Sequence, residues 1–208
     1  RPFREFLNRN VHKDGSIVWL STSGVPILGE EGELLGYRGA DADITKRKRA
    51  EEELQKVNRT LKMLSECNQA VVRATDEVEL LRQVCQIIVE VGGYHLAWIG
   101  FAEQDEGKSV RPVAQAGFED GYLETLGITW ADTERGRGPT GKAIRTGEPA
   151  IVKNILTDPD FAPWRETAIQ RGYASSIALP LIAEGRPFDS AQGRPFGALN
   201  IYAVEPDA

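Results

Sequence analysis

TKRKRAEEELQKVNRTLKMLSECNQAVVRA, residues 45–74, is the one long unbroken helical pattern in the chain, and strand-like sequence lies on both sides of it. Ala50, Leu54, Val57, Leu61, Leu64 and Val71 recur at alternating three- and four-residue steps, with Asn68 at the remaining inward position. That is the heptad pattern of a helical seam that two copies bury together. With Arg47, Leu54, Leu61 and Asn68 at the a positions, Lys46 falls at g and Glu51 at the following e, so a parallel partner sets opposite charges side by side. A single Asn at a favours one register. The alternative is one amphipathic helix lying on its own globular domain. A helix of about thirty residues at roughly 1.5 Å per residue spans about 45 Å, enough to separate two domains and carry a movement between them.

Bulk properties narrow the function classes. A chain of 208 residues with 41% hydrophobic residues has the core material for one domain with appendages or two small domains. A net charge of −6 argues against a general nucleic-acid binder, and the basic run Lys46–Arg49 is followed at once by Glu51, Glu52 and Glu53. The two cysteines, Cys67 and Cys85, supply neither a disulfide framework nor a four-ligand zinc site, and fit a reducing, cytoplasmic setting. No apolar run reaches the length of a membrane span, and residues 1–5 lack the apolar core of a secretion signal and read as cut from something longer.

Before the rod, Glu5–His12, Ser16–Leu28 and Leu34–Ile44 read as three strands joined by tight turns, with Asp14-Gly15 supplying the positive φ that a hairpin needs. No helix in this segment can cover the apolar face of such a meander, and three strands alone are marginal. Asp43 or Thr45 stands where a side chain accepts from the first free N–H groups of the rod. His12-Lys13-Asp14-Gly15-Ser16, Trp19, and Asp43-Ile44-Thr45 ahead of Lys46–Glu51 resemble the carboxy-terminal half of a PAS domain, the part called PAC. The resemblance implies that residues 1–45 form this half, that Asp43 and Thr45 tie it to a signalling helix over 46–74, and that an intact PAS ligand pocket is absent.

After the rod, Asp76 with Glu79 marks a helix start, Leu80, Leu81, Val84, Ile87, Ile88 and Val91 give the helix a wide apolar face, and Gly92-Gly93 stop it. Strands are expected at His95–Glu103, Val110–Ala116, 128–130, Ala150–Lys153, Ser175–Ala183 and Phe196–Val204. Helices are expected near Glu119–Leu126, at Pro139–Arg145 and at Pro163–Arg171. Strands and helices mix without a βαβ period, which predicts an α+β fold with a largely antiparallel sheet flanked by helices.

Gly138-Pro139-Thr140-Gly141-Lys142-Ala143-Ile144 with Thr146–Pro149, Asn154-Ile155, Asp158-Pro159, and Ser175–Leu181 ahead of Gly197–Ile201 together resemble a GAF domain, the small-molecule-sensing relative of PAS. The resemblance covers about 62–205 and overlaps the rod. The order PAS, helix, GAF is typical of bacterial sensor histidine kinases in two-component systems and of cyclic-dinucleotide enzymes. It implies a sensory input and relay module that is itself no enzyme, acting as a homodimer, with the output domain elsewhere in a parent protein.

Gly136–Lys142 nearly spells a phosphate-binding loop, but Ala143 occupies the magnesium-binding Ser or Thr position and Pro139 removes a cradling N–H. A glycine-shaped helix entry is the better reading; the GAF resemblance places it beside the family's ligand pocket, where spare N–H groups can receive an anion. His12 and His95 lie in different regions, so a histidine-based metal or catalytic site is not expected. Neither cysteine matches the positions of bilin-carrying GAF domains or of free methionine sulfoxide reductases, and no metal, bilin or haem is predicted. The cyclic-nucleotide set is not reproduced, because Ile155 follows Asn154. Trp98, Trp130, Phe161, Trp164 and Tyr173 either stack on a planar ligand or fill the core. On resemblance, Trp98, Trp130, Thr140, Asp158, Trp164, Arg165, Ser175 and Ser176 are the ligand-contact candidates; Asp43, Thr45, Leu54, Val57, Leu61, Leu64 and Asn68 are the relay candidates. Two rivals remain: a ligand-free GAF spacer that only dimerises, and a thiol-dependent reductase.

Gly185-Arg186-Pro187-Phe188 recurs as Gly193-Arg194-Pro195-Phe196, which reads as an inserted duplication in an exposed, mobile hairpin loop. Deleting Asp189–Phe196 leaves one Gly-Arg-Pro-Phe copy directly before Gly197. Melting temperature and light-scattering mass should stay nearly unchanged; a collapse of either rejects the duplication.

Overall fold

The computed structural model describes residues 1–118, 121–123, 127–182 and 195–207. Residues 119–120, 124–126 and 183–194, which carry most of the expected helix near 119–126 and of the duplicated segment 185–196, lie outside the described residues. Two compact units divide at Arg59/Thr60. Helix α1, Thr45–Arg73, is continuous through that division.

The first unit is an antiparallel meander of β1 (Phe3–Val11), β2 (Ile17–Leu28) and β3 (Leu34–Asp43). The Asp14-Gly15 turn closes as its chemistry predicts, with Gly15 at φ +85 and the Asp14 carboxylate accepting from Ser16 N at 2.8 Å. Phe6, Leu7, Val11, Ile17, Leu34 and Leu35 are all exposed. Side chains lock the entry to α1: Asp43 Oδ1 accepts from Thr45 N at 2.8 Å, and Thr45 Oγ1 accepts from Trp19 N at 2.9 Å. These bonds hold the Asp43 carboxyl below its ordinary pKa, the Thr45 donors being the largest cause.

The second unit is built on a five-stranded antiparallel sheet of order β5-β4-β8-β7-β6, formed by β4 (Leu96–Ala102), β5 (Val110–Gly117), β6 (Ala150–Val152), β7 (Ser175–Leu181) and β8 (Gly197–Ala203). Register and alternation sort its side chains. Ala97, Ile99 and Ile201 face a layer containing Cys85 and Ile88 of α2 (Glu77–Glu90), while Leu96, Trp98, Ala198 and Tyr202 face a larger apolar layer on the other side. That layer holds Ile144 of α3 (Pro139–Thr146), the 3-10 helix Pro159–Trp164, and Ala168 of the short α4 (Arg165–Gln170).

Two expected elements differ. Residues 128–130 form only an isolated bridge, Ser109 to Thr129, where the Thr129 hydroxyl also donates to the carbonyls of Gly107 and Lys108. The helix expected over Pro163–Arg171 is instead the end of a 3-10 segment, with Pro163 inside it, handing over to α4 at Arg165.

Within the second unit α1 has two unlike faces. Ala70 is buried, and Met63 packs into the α2 layer, its sulfur standing 2.7 Å from where a Cβ on Gly92 would sit. Cys67 is half-buried on the same stripe, while Leu61, Leu64 and Val71 are each at least 50% exposed. The residues that tie the helix to its own domain are therefore not those of the heptad seam.

Helix α2 starts on Asp76, whose carboxylate accepts from Glu79 N at 2.8 Å. Asp76→Ala should lower stability by about 1 kcal/mol, read as a lower urea midpoint at unchanged slope.

Candidate functional site

The large apolar face of the sheet is closed by an aromatic cluster. Tyr202 of β8 lies at its centre, with ring centroids 5.0 Å from Tyr173, 5.9 Å from Tyr122 and 6.5 Å from Phe161, which in turn meets Trp164 edge-on at 5.9 Å. Offset and edge-to-face geometry lets the rings fill the layer with favourable quadrupole contacts. Burial pushes the Tyr202 phenol up to about 12 and raises Tyr122 further still. Both are therefore neutral near pH 7.

Polar groups on this face are few. Thr140, on the first turn of α3, donates its buried hydroxyl to Asn200 Oδ1 at 2.7 Å and fastens the helix to β8. Ser176 pairs with Tyr202 in the sheet and shares its face; its Oγ is buried with no hydrogen-bond partner among the described residues. Between α3 and the rings remains a cavity of about 10 Å³, lined by Ile128, Arg135, Thr140, Phe161, Trp164 and Tyr202. That is the room of about one water molecule.

The glycines of Gly136–Lys142 explain how α3 comes so close. A Cβ on Gly138 would fall 2.3 Å from the Trp164 ring, and one on Gly141 would fall 2.2 Å from the carbonyl oxygen of Gly136. The pattern that nearly spells a phosphate loop is here a packing requirement. Arg145, near the end of α3, donates through Nη1 to the carbonyls of Trp130, Ala131 and Gly136 and ties down the segment leading into the helix.

Of the candidates, Thr140 and Trp164 line the cavity, while Trp98 and Ser176 share the same face of the sheet outside its lining. The structure places the other candidates elsewhere. Trp130 is half-buried, with Nε1 donating to Glu103 O at 2.8 Å and the Lys108 ammonium 4.8 Å above its ring. Asp158 caps the 3-10 helix through Asp160 N at 2.9 Å, and Arg165 donates to the carbonyls of Ile155 and Asp158 at 3.0 and 2.6 Å. Ser175 lies on the opposite face of β7 and donates to Glu205 O at 2.6 Å. Tyr122, Asn200 and Tyr202 belong to the site and escaped sequence reasoning. Alternation along Gly197–Ala203 carried the signal for Asn200 and Tyr202; nothing local marked Tyr122.

Neither thiol is activated. Burial pushes Cys85 up to about 12 and raises Cys67 as well, which disfavours the thiolate form. Among the described residues no cluster of His, Cys, Asp and Glu could hold a metal, and no helix is long and apolar enough to cross a membrane.

This sheet, with helices on both faces and a ring-lined cavity at the start of a glycine-framed helix, has known counterparts. The model of the GAF domain matches residues 74–208, and the chain belongs to that family. Over 100 residues, 44% of this chain and 15% of the relative, it is 31% identical to the bacterioopsin transcriptional activator of Halobacterium salinarum. Over 197 residues, 95% of this chain and 18% of the relative, it is 26% identical to the methyl sulfide methyltransferase-associated sensor of Methanosarcina acetivorans. The chain thus spans less than a fifth of the length of these curated relatives. Among solved structures, the GAF domain from a phosphoenolpyruvate-protein phosphotransferase of Coxiella burnetii superposes with a TM-score of 0.54 at 19% identity, over 72% of this chain and 80% of that one. The nlh2 GAF domain of A. aeolicus gives 0.53 at 17% identity, over 71% and 80%. These likenesses concern the fold alone.

The contact of Trp164 with Gly138 can be tested directly. Gly138→Ala should destabilise by about 1–3 kcal/mol, because the rigid indole must be displaced. Adding Trp164→Leu should make the Gly138→Ala step nearly neutral in a double-mutant cycle of urea midpoints.

Proposed function

We propose that the chain is the sensory input and relay module of a longer signal-transduction protein, working as a parallel homodimer through α1. One observation carries the reading: Leu54, Val57, Leu61, Leu64 and Val71 form an apolar stripe, each residue at least 50% exposed, on a helix whose other face already packs on its own domain through Met63 and Ala70. A stripe that its own domain does not cover and that keeps heptad spacing suits a second copy. Asn68 at an a position sets its register, and the Lys46 and Glu51 positions add complementary charge. The names of two relatives, a transcriptional activator and a sensor, agree with a signalling role.

In this reading residues 1–45 are the carboxy-terminal half of a PAS domain, and the Asp43–Thr45–Trp19 bonds are its grip on the signalling helix. The module sits in the cytoplasm and carries no chemistry of its own, in keeping with two thiols held protonated by burial. A second reading is favoured by one observation. The cavity of about 10 Å³ is filled by rings, which suits a GAF domain that serves as a dimerising spacer and takes no cavity ligand. A ligand enters only by displacing Trp164 or its neighbours, and shifts the helix pairing only if it prefers one packing of those rings over the other.

Light scattering on the 208-residue chain should give twice the chain mass. Leu61→Asp with Leu64→Asp should give single chains with an unchanged far-ultraviolet spectrum of the sheet domain. A single-chain mass for the unsubstituted protein at every workable concentration rejects the dimer. Given a dimer, a thermal-shift screen that yields no stabilising small molecule selects the spacer over the ligand sensor.

A further inference from the structure

The ring-filled cavity is not the only recess on the second unit. A wider one, about 280 Å³, opens between the end of β4, the turn at Gln104–Lys108 and the last turn of α3. That volume sits near the lower end of the range for small-molecule sites. Its apolar wall comes from Ala102, Ile144 and Pro195, with Trp130 beside them.

Two cations line it. Lys108 has its ammonium 4.8 Å over the Trp130 ring and makes no ion pair among the described residues. Arg145 spends only Nη1 on the carbonyls of Trp130, Ala131 and Gly136, which leaves Nε and Nη2 without a hydrogen-bond partner among the described residues. No acidic side chain lines the recess among the described residues. Of the acids on the adjoining turn, Glu103 pairs with Arg111 at 2.6 Å and Asp105 accepts from the backbone and hydroxyl of Ser109, while Glu106 is exposed and outside the lining. In a chain of net charge −6, two cations sharing one recess without a carboxylate partner is an unbalanced arrangement.

We propose that this recess binds a small aromatic carboxylate. The carboxylate takes the ammonium of Lys108 and the spare guanidinium edge of Arg145, a charge-assisted arrangement stronger than neutral hydrogen bonding. The ring lies on the wall of Ala102, Ile144 and Pro195, where burial of its edges and faces adds affinity that a bare anion lacks. The Gln104 amide lies at the rim as a further donor. Arg145 connects such a ligand to the segment 130–136, because the guanidinium that would hold the anion also holds the carbonyls of that segment.

The proposal does not depend on the dimer, and its test is separate from that of the seam. Benzoate is titrated into the full chain, followed by indole fluorescence and by melting temperature, with acetate and benzyl alcohol as the chargeless and ringless comparisons in reverse order. Benzoate should saturate, change the fluorescence, raise the melting temperature and bind more weakly as salt is added; acetate and benzyl alcohol should do none of these. Lys108→Gln, an exposed substitution whose only contact to lose among the described residues is the one with the Trp130 ring, should weaken benzoate by about tenfold while leaving light-scattering mass unchanged and melting temperature within a few degrees. Absence of saturable benzoate binding, equal binding of benzyl alcohol, or wild-type affinity in Lys108→Gln overturns it.

Discussion

A five-stranded antiparallel sheet with apolar side chains on both faces must be covered twice, and how the two covers are made governs the rest of the GAF unit. On one side α2 lays Cys85 and Ile88 against Ala97, Ile99 and Ile201. On the other, among the described residues, the cover is assembled from α3, a 3-10 helix and a set of rings centred on Tyr202. Short elements cannot shield such a face unless they come very close to it. That closeness is obtained where Gly138 accepts the Trp164 indole and Gly141 lies against the backbone of Gly136. The buried Thr140–Asn200 hydrogen bond then fixes α3 to β8 at one point, because leaving either group unpaired in this layer would cost more than the bond itself gains.

The tight cover has a functional consequence. A cavity reduced to the volume of a water molecule is a core with a seam in it, and anything larger must be exchanged for side chains already present. Meanwhile α1 is anchored to the opposite layer by Met63 and Ala70 and presents its heptad stripe outward. A helix gripped on one side and open on the other is suited to reporting on the domain that holds it.

Much of this was legible in the chain because it depends on local rules. The Asp14-Gly15 turn, the Asp76 cap, the α1 heptads and the strands β4, β5, β7 and β8 follow from positive φ, capping chemistry and period. The GAF resemblance rested on short motifs at the right intervals, and of the residues it pointed to, Thr140 and Trp164 line the cavity. Asp158, Arg165 and Ser175 carry polar groups that suit a ligand equally well, yet here they serve the 3-10 helix, two backbone carbonyls and the carbonyl of Glu205. A polar side chain in a loop does not state in advance whether its partner will be a ligand or its own backbone.

By itself, the sequence determined most of the helices and strands, among them the long helix α1 and the strands β4, β5, β7 and β8, since periodicity and turn chemistry act over a few residues. Only the tertiary structure decided that Met63 and Ala70 hold α1 to its domain, that Phe161 and Tyr202 line the cavity, and that Lys108 and Arg145 share a recess. Those outcomes depend on which residues far apart in the chain meet across the sheet, and on how completely rings of particular size fill the space between them.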